Sequence, residues 1–457
     1  MAAIAQDAKA PAQPTTAPGR SPAPATAPVE NRTALFDEIW RELSTHDAFF
    51  EAKNEETELL GARTREQLRE TSDESERIRI IIRTLSRLGD GHLHLTTRWF
   101  LPDRPPPPIE LTGGEPQFRP RGGFAKFRRD YYMRVPLAEL NAESQGANSE
   151  SASSQPAATN TPVDCRVIEI DGALVSHGGG WALLNGPRDT GVSIKLERPD
   201  GSTTTISRKR TEPVVPPQHF APTTQVVTTR PDGTTRIEER EVPVEFQRLD
   251  GNLGYIRIAH LVTTQTINDF NAALDQLMDT DGLILDIRGN TGGYPWIMMP
   301  IAGRFFSEYQ RVCSFDGRSP SIGALVRGVG KVGIPPAGRA YSRPVVALIN
   351  DGTASMGEGL AFALGDTGRA KLVGRPTMGL NAAIRNVTLQ NGLVLWHSWI
   401  RVSRLSGDHY QGIGVQPHEL VELDEAMWRK LGIAQAIRAE QELQLQAAKS
   451  ALRSTMP

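Results

Sequence analysis

Cysteine is nearly absent from this chain: 457 residues contain two, Cys165 and Cys313, far apart in sequence. A disulfide framework and a cysteine-rich zinc site are both excluded by that count. Long apolar runs are missing too. No stretch approaches the roughly 18 uninterrupted apolar residues of a membrane-spanning helix. Neither sign of charge dominates, with 51 Lys+Arg against 53 Asp+Glu and a formal net charge of −2. The chain therefore has no global basic field to gather nucleic acid. What it does have is length and 39% hydrophobic residues. That is enough for about three domains at roughly 100–200 residues each, and for at least one large core.

Residues 1–30 are rich in alanine and proline with few large apolar side chains, the composition of a disordered leader or tether. No apolar segment follows a charged start there, so no signal peptide is visible. Thr33 is a predicted N-cap, with Leu35, Phe36, Ile39, Trp40 and Leu43 on one helical stripe. A second helix is predicted with Ser72 or Asp73 as cap, Ile78, Ile81, Ile82, Leu85 and Leu88 as its apolar stripe, and Gly89 as its stop. Asp90-Gly91 then turns into His92-Leu93-His94-Leu95, whose alternation predicts a short strand with both histidines on one face. Two histidines at that spacing suit a metal, but no third ligand is near and HExxH is absent, so hydrogen-bonded strand histidines are the simpler reading.

The middle of the chain is broken by two loop-like stretches, 101–122 with its proline run and the low-complexity insert 141–162. Strands are predicted at 166–170, 192–197 and 203–207, with a short helix at 181–184 and turns at Asp171-Gly172 and Pro199-Asp200-Gly201. This order resembles a PDZ-like module, which binds peptides by adding a strand to a sheet edge. From residue 252 strands and helices alternate, with strands at 254–258, 283–287, 345–349 and 371–373, which predicts an α/β domain with parallel strands.

Sites in such domains lie where strands end. Asp286-Ile287-Arg288-Gly289-Asn290-Thr291-Gly292-Gly293 closes one strand, and its glycines expose backbone N–H groups before a helix. At a second strand end, 350–358, Ser355 stands at the first turn of a helix, against the positive end of the helix dipole. Alone, the first is a tight turn and the second an N-cap. Together with "LGDGHLHL", "LGYIRI", "VGRPTMG" and "GIGVQP" in the same order, they resemble the C-terminal processing peptidases, or tail-specific proteases, a serine peptidase family that includes the tricorn core peptidases.

The resemblance implies an α/β, crotonase-like or Clp-protease-like spiral catalytic domain over 216–430, after a helical unit at 31–100 and a linker with the PDZ-like module at 101–215, and before a C-terminal helix at 431–457. It implies peptide-bond hydrolysis without a cofactor or metal, protein or peptide substrates, and an extracytoplasmic or periplasmic location; the absence of a visible signal leaves the cytoplasm open. Ser355 falls on the nucleophile, Gly292 or Gly293 with Met356 on the oxyanion hole, and Glu358 and Asp366 on supporting acids. Arg288 and Asn290 are expected to fix the strand-end loop.

Two departures matter. Leu380 stands where the serine–lysine branch carries its base, and a leucine accepts no proton. His92 matches the base of the tricorn-like branch, whose supporting glutamate is here Gln411. An amide orients an imidazole through its oxygen but brings no charge. Two readings result: a serine-type endopeptidase using Ser355 and His92, or a catalytically impaired peptide- or ligand-binding protein on the same fold. The last helix is free to pack on the core or on a second copy in a homo-oligomer.

Overall fold

The structure is a computed structural model and describes residues 32–50, 55–96, 124–127, 130–137, 140, 162–175, 183–184, 190–209, 223–229, 235–316 and 331–455. The expected leader at 1–30, the whole stretch 101–122, all of the insert 141–162 but its last residue, and Trp181 and Ala182 of the predicted short helix lie outside the described residues.

The N-terminal unit holds helices α1 (Ala34–His46), α2 (Glu55–Glu70) and α3 (Glu74–Ser86). Phe36, Ile39 and Leu43 bury one stripe of α1, as their spacing requires. Thr33 precedes α1 but makes no side-chain cap, whereas Asp73 caps α3 by accepting from the Glu76 N–H at 2.7 Å. Helix α2 has no counterpart in the sequence pattern, because it buries only Gly61, Thr64 and Leu68. Strand β1 (His94–Thr96) starts two residues later than predicted. His92 therefore belongs to the turn before the strand and is buried, while His94 stacks on Trp396. The turn ends the two-residue alternation, so the two rings do not share a strand face.

An antiparallel sheet follows, built from β2 (Phe124–Phe127), β3 (Asp130–Pro136), β4 (Pro162–Ile170), β5 (Ala173–Leu174), β6 (Gly191–Glu197) and β7 (Thr203–Lys209), in the order β2-β3-β4-β6-β7 with β5 folded back on β4. Asp171 and Gly172 both take positive φ in the β4–β5 turn, the demand of a tight hairpin. β8 (Thr223–Thr229) and β9 (Thr235–Glu241) form a separate two-stranded ladder. One hydrophobic core runs through α1, α3, β3, β4, β6 and β7, and takes in Leu389, Leu393 and Leu395 from the C-terminal half.

The C-terminal half contains β10 (Val244–Leu249), β11 (Leu253–Ile258), α4 (Thr264–Gln276), β12 (Gly282–Asp286), α5 (Pro295–Gly303), β13 (Gln310–Asp316), β14 (Lys331–Ile334), β15 (Val345–Ile349), α6 (Met356–Gly365), β16 (Lys371–Gly374), β17 (Ala382–Thr388), β18 (Val394–Arg404), β19 (Glu419–Leu420), α7 (Glu425–Leu431) and α8 (Ile433–Arg453). Its main sheet runs β10-β11-β12-β15-β16-β19 and is parallel except for the β10 edge. Every residue of β12 and β15 is buried, the reason both read as unbroken apolar runs. A second, antiparallel sheet joins β1 and β17 to β18, β13 and β14; the strand–helix alternation does not announce it. The helix expected at 431–457 is α8, and a short helix, α7, precedes it across Gly432. Ala448, Ala451 and Leu452 of α8 pack on Leu253, Ile284, Val346, Leu348 and Val373, so this helix covers the parallel sheet of its own chain.

Candidate active site

Two parallel strand ends lie side by side and are laced by backbone groups. Past β12, Asn290 donates from Nδ2 to the Ile258 carbonyl at 3.0 Å and accepts the Gly292 N–H on Oδ1 at 2.8 Å. Its own carbonyl accepts the Ala354 N–H at 2.8 Å, and Thr353 Oγ1 donates to the Ile287 carbonyl at 2.9 Å. Asn350 Oδ1 accepts from Gly289 and Gly352. Buried polar backbone is thus paired across the two ends, which fixes their separation.

Beneath this loop Arg288 and Asp286 form a buried bidentate pair, Nε to Oδ1 at 2.9 Å and Nη2 to Oδ2 at 2.5 Å. Burial opposes the Asp286 charge, yet the guanidinium outweighs it and holds the carboxyl below its ordinary range. Arg288 Nη1 also reaches the Gln441 carbonyl at 2.7 Å and Gln444 Oε1 at 3.1 Å, which fastens α8 to the strand end.

Ser355 enters α6 at φ 51° and ψ −124°, a conformation that is strained for a residue with a Cβ. Three contacts hold it there. Its N–H is shared by the Leu380 carbonyl at 2.9 Å and Glu358 Oε2 at 3.2 Å. The third is steric: a Cβ on Gly292 would lie 2.6 Å from the Met356 nitrogen and 2.7 Å from Ser355 Cβ, so only glycine allows the strand end to press against the serine. Gly293 is equally confined, since a Cβ there would lie 2.0 Å from the Leu261 carbonyl oxygen. Among the described residues the Gly293 and Met356 N–H groups have no acceptor, while that of Gly292 is taken by Asn290.

Glu358, fully buried one turn after Ser355, accepts from Thr377 Oγ1, from the Gly379 N–H at 2.8 Å and from the Leu380 N–H at 2.7 Å. Burial pushes its carboxyl up to about 7, against these donors, which favour the ionised form. Asp366 is not part of this cluster. It lies at the far end of α6, a 10-residue helix about 15 Å long, where it holds Arg404 and the Tyr410 hydroxyl.

The third component is the corner before β1. Asp90 Oδ1 accepts the His92 N–H at 2.9 Å and the Gln411 side-chain amide at 3.0 Å. Gln411 in turn accepts the Asn381 N–H at 2.7 Å. Because Asn381 follows Leu380, whose carbonyl takes the Ser355 N–H, a continuous chain of contacts leads from Ser355 to His92. Among the described residues Gln411 makes no hydrogen bond to the imidazole; its oxygen and its amide bond Asn381 and Asp90 instead. The His92 Nδ1 faces Ser398 Oγ at 3.3 Å. Burial pushes the imidazole below its ordinary range, and the Asp90 carboxylate pulls it partly back. Among the described residues no hydrogen bond joins the Ser355 hydroxyl to the His92 ring.

Asp90, Asn381 and Ser398 are not singled out by the sequence pattern. Asp90 had a visible signal, its place in the Asp-Gly turn just before His92; the other two had none. His397 of β18 is fully buried with its two nitrogens 3.2 Å from Asp47 Oδ2 and 3.2 Å from Glu42 Oε1. Lys371, at a strand start, pairs on the surface with Glu419 at 2.7 Å.

Comparison with known proteins agrees with the resemblance read from the motifs. Residues 252–421 match Peptidase family S41. The carboxyl-terminal-processing protease of Synechocystis sp. is 27% identical over 289 residues, covering 62% of this chain and 59% of that protein. The carboxy-terminal processing protease CtpA of Bacillus subtilis is 26% identical over 268 residues, covering 57% of this chain and 49% of its own length. The chain spans about half the length of the curated relatives it matches. Among solved structures, mature CPAF complexed with lactacystin superposes with a TM-score of 0.53 at 15% identity, covering 92% of this chain and 99% of the other; that likeness concerns the fold alone.

Proposed function

We propose, from the S41 match over residues 252–421, that this chain is a serine-type peptidase that hydrolyses peptide bonds in protein or peptide substrates. The observation that carries the reading is Ser355 itself, strained at φ 51° and flanked by two N–H groups, those of Gly293 and Met356, that have no acceptor among the described residues. Backbone strain of this kind is retained where surrounding structure enforces it and function uses it.

In this mechanism Ser355 Oγ attacks the scissile carbonyl carbon while His92 Nε2 takes its proton. The carbonyl oxygen becomes an oxyanion held by the Gly293 and Met356 N–H groups; Gly292 contributes closeness rather than a donor, because its N–H is engaged by Asn290. Collapse of the tetrahedral adduct passes the proton from His92 to the departing amine and leaves an acyl group on Ser355. Water, deprotonated by His92, then attacks the acyl carbon; the second adduct breaks its bond to Ser355 Oγ, which takes the proton back from His92 as the acid leaves. Substrate binding draws the imidazole toward the hydroxyl, as catalytic hydrogen bonds commonly tighten only in the complex. A crotonase-like core at 216–430 carries the chemistry, and the helical unit and a PDZ-like β2–β7 module frame substrate access.

A fluorophosphonate probe tests the reading. It is expected to label the wild-type chain on Ser355, to leave Ser355→Ala unlabelled, and to label His92→Ala at least about 100-fold more slowly. Absence of wild-type labelling between about pH 6 and 9 contradicts it and favours a binding protein.

A further inference from the structure

Asp90 presents an unusual carboxylate. It is buried, its Oδ1 accepts two hydrogen bonds, and its Oδ2 has no hydrogen-bond partner among the described residues. A buried carboxylate oxygen left without donors carries a desolvation cost that folding alone gives no reason to keep. Its position supplies a reason. The carboxylate is two residues from His92, accepts that residue's backbone N–H, and is bonded by Gln411, the neutral side chain that stands where a charge is expected.

We propose that Asp90 is a positioning residue for the base, supplying beside His92 the negative charge that Gln411 lacks. The proposal rests on His92 acting as the base for Ser355. Gln411 then plays a definite part. Its amide fixes the Asp90 carboxylate, while its oxygen ties that carboxylate to the Leu380–Asn381 segment that also holds the Ser355 N–H. When His92 takes the serine proton, the imidazolium forms next to a charge already in place, with no reorganisation of solvent.

Other groups face this pair. Asp47, from the corner after α1, interacts electrostatically with Asp90 and engages His397 of β18, which also bonds Glu42. His94 lies on the same segment. Arg83 of α3 and Arg87 just after it share with Asp90 and Asp47 a cavity of about 660 Å³. Ser398 and Gln411, whose side chains hydrogen-bond the corner directly, are uncharged.

The proposal is tested by the pH dependence of fluorophosphonate labelling of the full chain, in wild type, Asp90→Asn, Gln411→Glu and the double variant, with thermal melting as the check on folding. Asparagine keeps the acceptor for His92 and Gln411 and removes only the charge. Losing a neighbouring negative charge makes the imidazolium easier to deprotonate, so the acid limb of the Asp90→Asn profile is expected to move to lower pH by about one unit, with a maximal rate about tenfold lower. Gln411→Glu in the Asp90→Asn background is expected to return the limb toward wild type. An Asp90→Asn limb that coincides with wild type overturns the proposal, as does a double variant indistinguishable from Asp90→Asn. If His92→Ala labels at the wild-type rate, the underlying assignment of the base falls and Asp90 with it. A His92-dependent profile that Asp90→Asn leaves unmoved removes the Asp90 proposal alone.

Discussion

The strand-end pair and the histidine corner are built on opposite plans. Past the ends of β12 and β15, Asn290, Gly292, Thr353 and Ser355 lie on neighbouring strand ends of one sheet, tied to backbone groups by short local bonds, with glycine enforced by contact distances below 3 Å. At the corner, Asp90 and His92, Asn381, Ser398 and Gln411 come from three distant parts of the chain and every bond that joins them uses a side chain, and among the described residues Asp90 Oδ2 and the Asn381 carboxamide keep unpartnered atoms. On the proposed mechanism, the first plan would hold the oxyanion cradle rigid before any substrate arrives, as electrostatic preorganisation demands, and the second would leave the proposed base adjustable. It follows that damage to the cradle should cost both stability and chemistry, whereas damage to the corner should cost mainly chemistry.

The largest expected effect is at Gly292. Gly292→Ala forces a Cβ to within 2.6 Å of the Met356 nitrogen and is expected to abolish labelling and to lower the melting temperature together; a folded, fully labelled variant would break the comparison. Next is Arg288→Met, which leaves Asp286 as an unpaired buried charge and is expected to destabilise by about 3–5 kcal/mol in urea unfolding. His92→Ala sharpens the contrast from the other side, with labelling lost and urea stability changed by under about 1.5 kcal/mol.

Glu358 couples stability to pH. Its carboxyl is raised from 4.5 to about 7, so folding favours the protonated form; the associated stability is complete below the unfolded value and is lost as pH rises through the folded one. The unfolding free energy of wild type relative to Glu358→Gln is expected to fall by up to about 3 kcal/mol between about pH 4.5 and 7. A difference that stays flat across that range contradicts the assignment. The smallest effect is expected at Lys371, whose pairing with Glu419 is a surface one. Lys371→Ala should leave labelling unchanged and alter stability by under about 1 kcal/mol; a loss of labelling would revive a lysine base.

The same contrast explains what was legible in the sequence. β12 and β15 are apolar runs closed by Gly-Asn or Asn-Asp-Gly signals, and the cradle residues are contiguous with them, so strands, glycines and serine could all be read from local order. β18 was missed because its alternation is interrupted by two successive buried polar residues, His397 and Ser398. α2 was missed because a helix that buries only Gly61, Thr64 and Leu68 shows no apolar stripe. His92 and Gln411 were recognisable by their motifs, but the way they connect was not: Gln411 meets Asp90 across 321 positions of sequence, a contact that no local pattern encodes.

The central claim, that Ser355, His92 and the Gly293 and Met356 amides act as one site, is tested most directly by a crystal structure of the phosphonate adduct. The expected adduct has phosphorus on Ser355 Oγ, the phosphonyl oxygen within about 3 Å of both amide nitrogens, and the His92 ring turned to within about 3.2 Å of Oγ. An adduct whose phosphonyl oxygen points into solvent while His92 keeps only its contact with Ser398 would contradict it.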